Sequence, residues 1–225
     1  LKKSKEPAAV DCSIPPLRTA VDTSNAIRHL KKIDPDLAEV IRNVGPCDLK
    51  PDKSLTIYAS LVRSIVYQQL TGKVAGIIFS RLLDLFPGKK FPTPESILAL
   101  PIDTLRGVGL SNQKTQYIRN IAQAAIDGVV PDSRKANRMS DDELVDQLTS
   151  IKGVGSWTVE MLLIFRLGRP DVLPATDNGV QKGFALAKRL ADHPKPKELL
   201  AAGECWAPHR TVAAWYLWRT ADTVG

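Results

Sequence analysis

The chain has 225 residues, enough for one large domain or two small lobes sharing a core, so neither disulfides nor a metal are needed to hold it together. At 44% hydrophobic and 24% charged its composition is that of a globular protein, and no apolar run approaches the roughly 18–20 residues of a membrane span, which excludes a membrane partner. Lys and Arg number 31 against 24 Asp and Glu, and a formal charge of +7 draws a protein to polyanions, so nucleic acid is the first partner to consider.

Residues 1–20 open with LKKSKEPAAVDCSIPP, which has neither an apolar stretch nor a period, and read as a flexible basic tail ahead of a domain over residues 21–225. Cys12, Cys47 and Cys205 are scattered and odd in number, which fits a reducing compartment rather than a disulfide framework. The three histidines are equally scattered, so no structural zinc site is expected. The expected location is intracellular, with the nucleoid in a bacterium or the nucleus in a eukaryote.

Beyond the tail, almost every periodic segment predicts a helix. In LTIYASLVRSIVYQQL, Tyr58, Leu61, Val62, Ile65 and Val66 recur at three- and four-residue intervals and define one buried stripe. Val74, Ile77, Ile78, Leu82 and Leu85 repeat the pattern in the next segment. Thr93 before Pro94 marks another helix start, and Ser140 with Glu143 forms a capping box ahead of Leu144. Gly128 to Arg138 is polar, contains Pro131 and reads as a loop. Alternating strand patterns are missing, so the fold class is all-α.

The same punctuation occurs in LRGVGLSNQK (Leu105 to Lys114) and SIKGVGSWTV (Ser150 to Val159), a slender hint of duplication. Only the second has the full hairpin pattern, with a capped amphipathic helix before Gly153-Val154-Gly155 and an apolar helix after it. Glycines let a backbone approach a ligand closely, and the helix that follows starts with unpaired N–H groups and partial positive charge. Such a hairpin grips a DNA phosphate through its main chain; a tight turn whose glycines serve packing alone is the competing reading.

The block from Leu144 through LPATDNGVQKG resembles the helix-hairpin-helix, Gly/Pro-rich loop and aspartate signature of the DNA glycosylase superfamily. GVGSWTVEMLLIF, the upstream IVYQQLTGKVAGIIF and the terminal APHRTVAAWYLW are similar to its alkylation-repair branch, the 3-methyladenine DNA glycosylases, over roughly Ile33 to Thr220. The resemblance implies a two-lobed helical fold. One lobe takes approximately residues 21–60 and 170–225, the other approximately 61–169 with the hairpin at 144–165, and double-stranded DNA carrying alkylated bases lies across the cleft of a monomer.

It also implies roles. Asp177 is the catalytic aspartate, although by position alone it would serve equally as a helix cap. Thr176 stands where some relatives carry a second acid, leaving a single candidate carboxylate. Trp157 and Trp218, with Met161, Trp215 and Phe165, form the base pocket. Gln69, with Leu70, is the wedge that fills the gap left by the extruded base. Gly153, Gly155, Lys152, Ser156 and Thr158 contact the DNA backbone. The main-chain carbonyls of Thr149, Ile151 and Val154 are the family's site for a structural Na+ or K+, and no other cofactor is required. Relatives that also cut the strand use a hairpin lysine where this chain has Trp157, so a monofunctional enzyme without lyase activity is expected. The cysteine cluster of iron–sulfur glycosylases has no counterpart here. No general acid accompanies the pocket in the sequence; His209 is the nearest candidate to Trp218. The alternative is a non-catalytic helix-hairpin-helix protein that binds damaged DNA, which needs neither Asp177 nor the paired tryptophans.

Overall fold

The computed structural model describes residues 22–88 and 91–223, so the expected tail over residues 1–20 lies outside the described residues. Every regular element among the described residues is helical. Short polar side chains start most of them. Asp22 caps α1 (Thr23–Ile33), Asp34 caps α2 (Pro35–Val44), Thr56 caps α3 (Ile57–Tyr67) and Thr71 caps α4 (Gly72–Asp84), each accepting from the backbone N–H three residues on. Thr93 caps α5 (Pro94–Ala99), α6 (Ile102–Gly107) follows, and Ser111 caps α7 (Asn112–Ile126).

The stretch expected to be a loop, Gly128 to Arg138, contains a further helix, α8 (Ser133–Arg138). Asp132 accepts the Lys135 N–H at 2.7 Å and Ala136 is fully buried. A single buried alanine in a polar run leaves no periodicity to read, which is why the segment looked irregular. The capping box of Ser140 and Glu143 then opens α9 (Asp141–Thr149). After the hairpin, α10 (Ser156–Leu162) widens into one π-helical turn that ends at Leu167. The chain closes with α11 (Asn178–Lys188), α12 (Pro196–Ala202) and α13 (Arg210–Asp222).

All five apolar stripe residues expected in α3 are buried. Helix α4 corrects its stripe: Val74 and Ile77 are 44% and 47% exposed, while Ala75 and Leu82 turn inward. Apolar residues cover more than one side of α4, and periodicity cannot say which side has a neighbour.

The helices pack in two groups, α1, α2, α11, α12 and α13 in one and α3 to α7 with α9 and α10 in the other. Helix α3, which spans the expected division near residue 60, packs against α4, α7 and α10. The crossing segment is pinned onto the end of α10: Asp52 N–H donates to the Phe165 carbonyl at 2.7 Å, and the Arg166 guanidinium donates to the Leu55 carbonyl and to Ser133. In the other group α11 and α13 approach closely at Gly183, where a Cβ would sit 1.9 Å from the Leu217 carbonyl oxygen. Only glycine permits that contact, and it delivers Trp218 to the start of α11. No helix among the described residues is long and apolar enough to cross a membrane.

Candidate active site

Asp177 is the N-cap of α11, its Oδ1 accepting the Val180 N–H at 2.9 Å. The cap does not exhaust the carboxylate. Oδ1 also accepts from Trp218 Nε1 at 2.8 Å, and Oδ2 accepts from Trp157 Nε1 at 2.7 Å. Trp157 stands on α10 and Trp218 on α13, so one carboxylate is clamped between the two groups of helices. Cap and chemistry are compatible at this residue and need not compete for it.

A cavity of about 380 Å³ opens beside Trp157, within the size range of small-molecule sites. Of the pocket residues expected, Trp157, Met161 and Phe165 line it. Trp218 stands against Phe165 instead, with ring centroids 5.6 Å apart and planes inclined by 31°. Trp215 is a correction: it is 7% exposed, lies edge-on to Tyr216 at 4.9 Å and carries Arg219 over its ring at 5.6 Å. Its indole belongs to the packing around α13 and lines no part of the cavity.

Nine of the twelve lining residues were not expected, among them Asp52, Tyr67 and the cations Lys50, Arg63 and Arg166. The Arg63 guanidinium lies 4.4 Å over the Tyr67 ring, a four-residue helical pairing that local spacing allows but does not flag. Asp52 accepts from both the hydroxyl and the N–H of Ser54, which hold its carboxyl below the usual carboxylate range.

Glu160 is a second acid near Asp177 that the motif did not point to. It lies three residues after Trp157 on α10, its Oε2 is sealed from solvent with no hydrogen-bond partner, and burial, helped by the nearby Asp177 charge, pushes its carboxyl up to about 7. The three-residue spacing from Trp157 was the available signal. His209, the general-acid candidate by proximity in sequence, caps the opposite end of α13, roughly 13 Å along the helix from Trp218. Its ring meets His29 edge-on at 5.3 Å.

At the hairpin, Lys152, Gly155 and Ser156 are exposed. Gly155 offers α10 no side-chain cap and has open space where a Cβ would go. Gly153 differs. Its φ is +104° and a Cβ would lie 2.2 Å from the Tyr117 ring, so internal packing already demands glycine there. Thr158 is a second correction, because it is 1% exposed and its Oγ1 accepts from Gln68 Nε2 at 3.0 Å, out of reach of any phosphate. In the upstream Gly-Val-Gly it is the second glycine, Gly109, that takes positive φ, at +108°, so the two turns share letters and not geometry. Gln69 and Leu70 project at the turn between α3 and α4, with Gln69 at φ +55° and Leu70 39% exposed.

A carboxylate held twice between two helical groups, a cavity lined by one of the tryptophans that holds it and an open glycine turn at a helix start are the parts that a base-excising site requires. The sequence pattern of the HhH-GPD superfamily of base excision DNA repair proteins matches residues 62–208, and the chain belongs to that family. DNA-3-methyladenine glycosylase 1 of Schizosaccharomyces pombe is 40% identical over 195 residues, covering 85% of each chain. The alkylbase DNA glycosidase-like protein mag2 of the same organism is 34% identical over 199 residues, 88% of this chain and 93% of that one. The solved structure of S. pombe 3-methyladenine DNA glycosylase (Mag1) in complex with abasic DNA superposes with a TM-score of 0.83 at 39% identity, over 88% of this chain and 97% of that one.

Proposed function

We propose that this protein is a monofunctional DNA-3-methyladenine glycosylase that hydrolyses the N-glycosidic bond of alkylated purines in duplex DNA, acting as a monomer within base excision repair. The observation that carries the reading is Asp177, whose two carboxylate oxygens are held by Trp157, which lines the cavity, and by Trp218. As the bond from C1′ to the base breaks, its electron pair leaves with the base and positive charge builds on the sugar. A carboxylate held in place stabilises that charge without reorganising, and water then adds to C1′ and loses a proton. One carboxylate suffices for a cationic base, which departs as a neutral molecule.

The cavity receives the extruded base against Trp157 and Phe165, and an electron-poor alkylpurine stacks well on such faces. Selection of an electron-poor base rests on these faces and not on net charge, because Lys50, Arg63 and Arg166 stand on the wall beside Asp52. Lys152, Gly155 and Ser156 meet the phosphates, while Gln69 and Leu70 occupy the space the base vacates. With Trp157 in the position of the strand-cutting lysine, no amine is available there for a Schiff base. The carbonyls of Thr149, Ile151 and Val154 are neutral oxygen donors on one turn, and that of Ile151 keeps a lone pair after accepting the Val154 N–H at 2.9 Å. The set fits Na+ or K+, which would place positive charge where a phosphate approaches.

The test is incubation with N-methylated duplex DNA and chromatography of the released bases. Free 3-methyladenine and 7-methylguanine are expected. DNA that is bound but releases no base would reduce the protein to a binding role.

A further inference from the structure

The turn bearing Gln69 is held from outside its own helices. Lys114, on α7, donates from Nζ to the Val66 carbonyl at 2.9 Å and to the Gln68 carbonyl at 2.6 Å. These are carbonyls of the last turn of α3, which its own ladder leaves unpaired and where a cation is favoured. Burial lowers the Lys114 pKa, with no carboxylate contributing to the shift. The same side of α7 continues to the hairpin. Tyr117, three residues on, fills the space over Gly153, and Asn120, three further, donates from Nδ2 to the Lys152 carbonyl at 2.9 Å. Lys114 and Asn120 are separated by about 9 Å of straight helix. Gln68 closes the circuit through its bond to buried Thr158 at the start of α10.

We infer that α7 is a spacer that fixes the wedge turn to the phosphate-gripping hairpin, with Lys114 and Asn120 as positioning residues that set Gln69 at the base stack once the hairpin is seated. The inference rests on the glycosylase reading above and names the device that couples backbone grip to base extrusion. Neither residue touches the reacting atoms. Their effect runs through Gln69, so it should be large where the base must be pulled from a good pair and small where pairing is already weak, because extrusion costs least there.

The experiment compares Gln69→Ala, Lys114→Met, Asn120→Ala and the Gln69→Ala/Lys114→Met double variant in single-turnover release of a methylated purine. Each is assayed on a fully paired duplex and on one with an abasic site opposite the lesion, after thermal unfolding has established that it folds. Lys114→Met is expected to lose about 10- to 100-fold on the paired duplex and under about 3-fold on the unpaired one, and the double variant to be no worse than Gln69→Ala alone. Asn120→Ala removes an exposed contact that folding does not depend on, and should show the same selectivity at about 3- to 10-fold. Equal losses on both duplexes, or losses in the double variant that multiply, would overturn the inference. Failure of the unaltered protein to release base from the unpaired duplex would refute the glycosylase reading instead.

Discussion

Trp218 donates its indole N–H to Asp177 across 2.8 Å while its ring rests on Phe165, so one side chain links the carboxylate to the wall of the cavity. Trp218→Phe keeps the ring and deletes the donor. Excision should fall by about 10- to 100-fold while duplex affinity stays within about 3-fold, since the lost bond aims a group that acts in the transition state. Single-turnover rates and equilibrium binding on one methylated duplex check it, and an equal loss in both would mean that Trp218 serves binding alone.

Asp177 both caps α11 and faces the two indoles, and the choice of substitution separates the roles. Asparagine caps a helix about as well as aspartate, so Asp177→Asn should lose excision by about 100-fold or more with little change in thermal stability. Asp177→Ala should in addition cost about 1 kcal/mol of stability. Parental excision by Asp177→Asn would leave the residue as a cap and nothing else.

The hairpin glycines should respond differently. Gly155→Ala meets open space, so it should leave unfolding unchanged and weaken binding to damaged and undamaged duplexes alike, by about 10-fold, because the contact is to phosphate. Gly153→Ala strains a positive φ and collides with Tyr117, and should destabilise the fold by about 2 kcal/mol or more. Calorimetry and binding isotherms across salt concentrations separate the two.

Glu160 makes stability depend on pH. Its carboxyl titrates at about 7 in the folded protein against an ordinary 4.5, so between those values the native state holds a proton that the unfolded chain has released. Its contribution is therefore complete below about pH 4.5 and is lost as pH rises through 7. Glu160→Gln should flatten that slope and stabilise the protein by about 2 kcal/mol at pH 8. Denaturant melts from pH 4 to 8 would contradict the assignment if the slope survives the substitution.

Trp157 predicts the outcome of borohydride trapping. No covalent protein–DNA species should form, and the abasic product should stay uncut until treated with alkali, as gel electrophoresis would show. A robust trapped adduct would contradict the monofunctional assignment and point to an amine outside the hairpin, such as that of Lys50 on the cavity wall.

What the chain discloses by itself is whatever neighbours within four residues decide. Ser140 and Glu143 cap α9 because both partners are three residues apart, Thr93 and Pro94 open α5 for the same reason, and the α3 stripe is buried because its period matches the helix. The all-α class, the hairpin and the position of Asp177 after it were legible on those terms, the last through a motif. Contacts between distant residues were not. That Thr158 meets Gln68 and no phosphate and that Gly153 lies under Tyr117 are each set by a partner on another helix, and that Val74 and Ile77 face outward while Trp215 is buried depends on which side of α4 and of α13 the neighbouring helices cover. Glu160 is the clearest case: three residues from Trp157 it was visible, but its raised titration comes from burial and from Asp177, 17 positions further along, which only the packing of α10 against the start of α11 brings near.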